Sequence, residues 1–233
     1  MAAPTTTTTP PQTLRIGVMM QEVQLSDITG VDILGNISHE YLTEVSSMFP
    51  EYADYLTTAH PMTFYYLSTT LSPTICTPGM KILPNMTYDD CPRDLDILII
   101  GGPQLSSRPE QADKFMKEMW GQTKVVLTTC VGSLWLASSG VLKGRKCTTN
   151  RFALPVARQL YPEVEWLDQR WVVDGDGPCH LWTSGGAGAG IDMIGAYALE
   201  KFPQNLVKDL ALELLDFDPE ARGQFYREKS LHA

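Results

Sequence analysis

Short, almost unbroken apolar runs alternate along the chain with stretches whose apolar residues recur at helical spacing. Leu14 to Met20, Met62 to Leu67, Leu95 to Ile100 and Lys124 to Thr129 are four such runs, each long enough for one buried strand. Between them lie helical patterns. One opens at Asp27–Leu34 and continues towards Phe49. Another runs from Pro109 to Trp120, with Phe115, Met116, Met119 and Trp120 on one face. Gly132 to Ser139 reads as a helix stopped near Gly140, and Leu154 to Leu160 as another.

The segment 71–86, with Pro73, Pro78, Gly79 and Pro84, reads as loops and short strands, and Lys146 to Thr149 as a short strand. Trp171–Val173 and His180–Thr183 flank the turn-rich segment 174–178 and predict a hairpin. A glycine-rich turn over 184–190 leads into a helix predicted for 191–201, and a last helix is predicted for 203–216.

Strands alternating with helices predict an α/β fold, a three-layer sandwich around a mostly parallel central sheet. Residues 13–233 are taken as one domain. Residues 1–12, rich in Thr and Pro, are taken as a disordered tail. In such sheets ligands sit beyond the carboxyl ends of the strands. That places Asp27, Gly101-Gly102 and Cys130 at candidate site positions.

Composition narrows the function classes. Asp and Glu number 27 against 18 Lys and Arg, a net charge of −9, which repels phosphate backbones and argues against nucleic acid as a partner. No apolar run of 18 residues occurs, so no membrane span is expected. The N-terminus lacks the charged start and apolar core of a signal peptide, and none of the five cysteines forms a CxxC pair. Reduced thiols and a cytoplasmic location are the expectation. His39, His60, His180 and His232 are scattered, so no metal site is expected.

The chemistry concentrates at 124–137. A buried strand runs straight into Cys130 and a helix follows at once, with Gly132 allowing close approach of helix and strand. This is the pattern of a nucleophile elbow with Cys in place of Ser. The helix N-terminus is expected to favour the thiolate. The N–H groups of Gly102 and Val131 are candidates for an oxyanion hole. Read alone, Cys130 also fits a structural cysteine, Asp27 a helix N-cap, and Glu22 a solvated loop acid.

Four stretches in order resemble the ThiJ/PfpI superfamily of the class I glutamine amidotransferase-like (flavodoxin-like) fold. They are residues 23–30 with Asp27 and Gly30, residues 95–102, Thr129-Cys130-Val131-Gly132 with residues 140–149, and residues 183–192. Within the superfamily the isonitrile hydratase-like branch is the nearest match. The resemblance implies that Cys130 is the reactive thiol and Asp27 its carboxylate partner, that the protein forms a homodimer, and that it needs no cofactor. Glu22, Thr129 and Asn150 complete the candidate substrate-binding set.

The chain departs from the family pattern at three points. Val131 stands where isonitrile hydratases carry Thr and where proteases and glyoxalase-like members carry His. Asn150 stands where His is frequent, and Gln21-Glu22 where Pro-Gly is. The implied reaction is hydration of a small electrophile, an isonitrile, to an N-substituted formamide through a Cys130 thioimidate. One alternative keeps the site and changes the reaction, to a glyoxalase, deglycase, lyase or isomerase with Asp27 as base. Another makes Cys130 a redox sensor. Too few residues follow the last helix for a helix-turn-helix reader, so a regulator is not expected.

Overall fold

The computed structural model describes residues 11–104, 106 and 108–227. All but the last two residues of the Thr/Pro-rich tail lie outside that range, as does His232. The strands and helices are, in chain order, β1 (Leu14–Met19), α1 (Val31–Asn36), α2 (His39–Met48), β2 (Met62–Ser68), β3 (Thr74–Ile75), β4 (Lys81–Ile82), β5 (Met86–Thr87) and β6 (Ile97–Ile100). Then come α3 (Glu110–Met119), β7 (Val125–Thr128), α4 (Gly132–Ser138), β8 (Lys146–Cys147), α5 (Leu154–Leu160), β9 (Glu165–Trp166), β10 (Trp171–Asp174), β11 (His180–Ser184), α6 (Ala187–Lys201), α7 (Gln204–Leu206) and α8 (Pro219–Arg222).

The main sheet has seven strands in the order β10-β11-β7-β6-β1-β2-β5. All neighbours pair in parallel except β10 with β11, which form the antiparallel hairpin at one edge. The strand pleat sends alternate side chains to opposite faces. Ile97 and Ile99 of β6 join one core with Val125 and Leu127 of β7 and residues of α1, α2 and α6. Leu98 and Ile100 join the other, with Val126 of β7 and residues of α3, α4 and α5. Two cores on two faces of one sheet explain why the central strands read as continuous apolar runs. The architecture is the α/β fold with a mostly parallel sheet predicted from the pattern.

The structure departs from the predicted elements in three places. The helical pattern opening at Asp27 is not one helix. Asp27 closes a 3-10 turn (Leu25–Asp27), and α1 and α2 are separate. Asp27 therefore does not act as an N-cap. Its side chain instead accepts a long-range hydrogen bond from Gly102.

Helix α6 begins at Ala187, four residues earlier than predicted, because its glycine-rich first turn packs closely on Thr129. The helix predicted for 203–216 is instead α7 followed by a π-helical turn over Val207–Leu212. Among the described residues no helix is long and apolar enough to cross a membrane.

Candidate active site

The carboxyl ends of β1, β6, β7 and β11 converge on Cys130. The turn after β7 sets Cys130 at φ +57°, a left-handed conformation that a side chain with a Cβ rarely adopts. The surroundings over-determine it. Its N–H donates to the Gly185 carbonyl after β11 at 2.6 Å. Its own carbonyl accepts from Ser133 Oγ at 3.2 Å and Thr149 Oγ1 at 3.0 Å. These two hydroxyls were not among the residues predicted for the site. Their role depends on pairings across 3 and 19 residues that leave no local signature.

Gly132 is what allows the elbow to close. A Cβ there would collide with the carbonyl oxygens of Ile100 and Gly101 at the end of β6. Backbone cannot yield as a side-chain tip can. Gly132→Ala is therefore expected to cost about 3 kcal/mol, a fall in Tm of roughly 6–12 °C for a chain of this length. Thermal unfolding followed by circular dichroism checks it.

The carboxylate comes from the turn after β1. Asp27 is 2% exposed, and its Oδ2 accepts from the Gly102 N–H at 3.1 Å. A Cβ on Gly102 would lie 2.6 Å from Asp27 Oδ2 and 3.3 Å from Cys130 Cβ, so the carboxylate and the cysteine lie within about 6 Å across this glycine. Asp27 Oδ1 is buried and has no hydrogen bond of ordinary geometry among the described residues.

Burial raises the Asp27 carboxyl to about 6, against the lowering effects of the Gly102 N–H and Cys130. Burial, followed by the charge of Asp27, pushes the Cys130 thiol up to about 11. This corrects the expectation of a thiolate. The helix after Cys130 has only seven residues, and burial and the facing carboxylate both oppose the thiolate. Near neutral pH the pair is a thiol beside a carboxylate.

The other candidates separate into those near the sulfur and those away from it. Asn150 Nδ2 donates to Cys130 Sγ at 3.3 Å, and Oδ1 of the same amide accepts from Phe152 N–H at 3.0 Å, which fixes the amide's orientation. The Val131 N–H, next to the sulfur in sequence, acts with Asn150 to lower the thiol against the effect of burial. The Gly102 N–H is not a free oxyanion donor in this state, because it holds Asp27.

Thr129 is not a pocket residue. It is 1% exposed, and its side chain presses on Gly190 at the start of α6, whose Cβ would sit 2.5 Å from Thr129 Oγ1. Glu22 is set apart as well. It sits at φ +51°, its N–H donates to Thr74 Oγ1 at 3.0 Å, and it lines a cleft with Gln21, Ser68 and Ser72. Among the described residues it makes no hydrogen bond or ion pair with Cys130. Strand order in the sequence could not show which way these side chains turn.

All five cysteines are free and buried. Among the described residues no three His, Cys, Asp or Glu side chains gather as a metal site.

A model of the DJ-1/PfpI family matches residues 49–200, which include Gly102, Cys130 and Asn150. The chain belongs to the DJ-1/PfpI family. Isonitrile hydratase of Pseudomonas putida is 32% identical over 125 residues, 52% of each chain. Deglycase PfpI of Pyrococcus furiosus is 33% identical over 102 residues, 42% of this chain and 60% of that one. The chain thus spans between half and three-fifths of the length of these relatives.

A solved ThiJ/PfpI family structure from Pseudomonas syringae shares the fold, with a TM-score of 0.69 at 22% identity over 89% of this chain and 76% of that one. Asp27 lies outside the stretch matched by the DJ-1/PfpI model. Its nearness to Cys130, expected from the resemblance, is seen in the tertiary structure.

Proposed function

We propose that this DJ-1/PfpI protein is a cysteine-dependent enzyme that hydrates an isonitrile to an N-substituted formamide. The observation that carries the reading is the buried carboxylate of Asp27 facing the Cys130 thiol across Gly102. A base whose pKa lies near the working pH is the one best matched to moving a proton in both directions.

Asp27 takes the thiol proton as the sulfur bonds to the terminal isonitrile carbon, then delivers that proton to the same carbon, giving a thioimidate. Water adds to the thioimidate carbon, with Asp27 taking one of its protons and passing it to nitrogen. The tetrahedral adduct collapses by breaking the C–S bond, and the hydroxyl proton returns through Asp27 to sulfur. The sum is isonitrile plus water to formamide. Asn150 and the Val131 N–H support negative charge on sulfur.

Val131 removes the imidazole that protease-like and glyoxalase-like chemistry would use, and equally the hydroxyl that isonitrile hydratases carry, so the reading rests on the Asp27–Cys130 pair. A thiol held protonated near neutral pH also disfavours spontaneous oxidation and with it the sensor reading.

The test is formamide formation from cyclohexyl isocyanide as a function of pH. Since Asp27 must be ionised to act, kcat/KM is expected to fall as pH drops below about 6. Asp27→Asn should lower kcat/KM at neutral pH at least ~100-fold and abolish that acid limb. Stability moves the other way. The folded chain holds the Asp27 proton more tightly than the unfolded chain does, so its contribution is full below the ordinary carboxylate range and lost as pH rises through about 6. Asp27→Asn should therefore raise Tm at pH 8 more than at pH 4. Lactate formed from methylglyoxal, with no formamide from the isocyanide, would overturn the isonitrile assignment in favour of an oxoaldehyde at the same site.

A further inference from the structure

The segment after α8 returns to the site. Gly223 and Gln224 fasten it to Arg170 and to Trp171 at the start of β10. The Gly223 carbonyl accepts from Arg170 Nη1 at 2.7 Å, the Gln224 carbonyl accepts from Arg170 N–H at 2.9 Å, and Gln224 Nε2 donates to the Trp171 carbonyl at 3.0 Å. Two residues on, Tyr226 is half-buried.

Its phenol oxygen is tucked against Gly185, where a Cβ would lie only 2.5 Å away. Gly185 is the residue whose carbonyl holds the Cys130 N–H. The guanidinium of Arg151, next in sequence to the amide that touches the sulfur, lies 4.1 Å from the centre of the Tyr226 ring. Arg151 is itself held by Asp168 at 2.8 and 3.0 Å. Burial above all raises the Tyr226 phenol, with smaller contributions from Asp168 and Cys130. Among the described residues the hydroxyl makes no hydrogen bond.

We propose that Tyr226 is a wall of the Cys130 site and a specificity-determining residue, its ring limiting the size of the molecule that reaches the sulfur. The inference rests on the functional reading above only in taking Cys130 as the reactive centre. A segment held at three points by Arg170 and Trp171 keeps the ring in place, and the ring touches Gly185 and Arg151, neighbours of the residues that position Cys130. A small aliphatic electrophile passes such a wall more readily than a polycyclic one.

The test compares two maleimides of the same chemistry and different size, N-ethylmaleimide and N-pyrenylmaleimide. In each, the Cys130 sulfur bonds to one alkene carbon and the thiol proton ends on the other. Labelling rates at Cys130 are read by peptide mass spectrometry, with Cys130→Ser as the blank. Tyr226→Ala is expected to raise the pyrenyl-to-ethyl rate ratio at least tenfold, and Tyr226→Trp to lower it. If Tyr226→Ala fails to fold, the direction of the Tyr226→Trp change decides.

A ratio within twofold of wild type in the folded variants, with Cys130 reactive, overturns this inference alone. A Cys130 that neither reagent labels in any form overturns the nucleophile reading and this inference together.

Discussion

Cys130→Ala is expected to abolish turnover, by a factor of ~1,000 or more, while leaving the fold intact. The loss is large because the sulfur forms the bond that divides one difficult hydration into two easier steps. The fold survives because the elbow is held by backbone and hydroxyl contacts. The Cys130 N–H on Gly185, and Ser133 and Thr149 on the Cys130 carbonyl, do not involve sulfur.

Alanine also removes the thiol that helps to lower the Asp27 carboxyl, a small cost to the folded state near neutral pH. A melting curve within a few degrees of wild type, beside lost formamide production, checks both halves. Activity retained by folded Cys130→Ala would mean that Asp27 activates water directly and that the thioimidate does not form.

Asp192→Ala is expected to be the most destabilising single substitution in this part of the molecule, at about 3–5 kcal/mol, or a fall in Tm on the order of 10 °C. Asp192 on α6 is 1% exposed and takes Arg170 Nη2 at 2.5 Å, Arg222 Nε at 2.9 Å and Arg222 Nη2 at 3.0 Å. Removing it leaves the Arg170 guanidinium, 8% exposed, buried without its carboxylate.

The two arginines are not equivalent. Arg222 is 60% exposed, and Arg222→Ala should cost less than about 1 kcal/mol because water screens its pairing. The damage from Asp192→Ala should also reach the site. The Arg170 carbonyl accepts the Gly185 N–H at 2.8 Å, and Gly185 in turn holds Cys130. Slower maleimide labelling of Cys130 in the folded fraction, alongside the lower Tm, is the expected signature.

The layers and the position of the reactive turn are legible in the order of apolar and polar residues. Strands covered on both faces are apolar at nearly every position, so β1, β6 and β7 stood out as almost unbroken runs. A cysteine following such a run, with glycine two residues later, marks an elbow because a Cβ at position 132 would strike the end of β6. The family pattern added Asp27, which its own surroundings in sequence would have made a helix cap.

The tertiary structure decided the rest, because side-chain direction and desolvation are properties of the packed molecule. It turned Thr129 into the α6 contact and left Glu22 in a separate cleft. It held the Cys130 thiol protonated by burial and the facing carboxylate, where helix position alone argued for thiolate. It brought Ser133, Thr149 and Tyr226 to the elbow from 3, 19 and 96 residues away. Hydrophobic periodicity records which face of a strand or helix is buried. It carries no record of which distant chain segment lies against that face, and it is that neighbour which sets a pocket's shape and its charge.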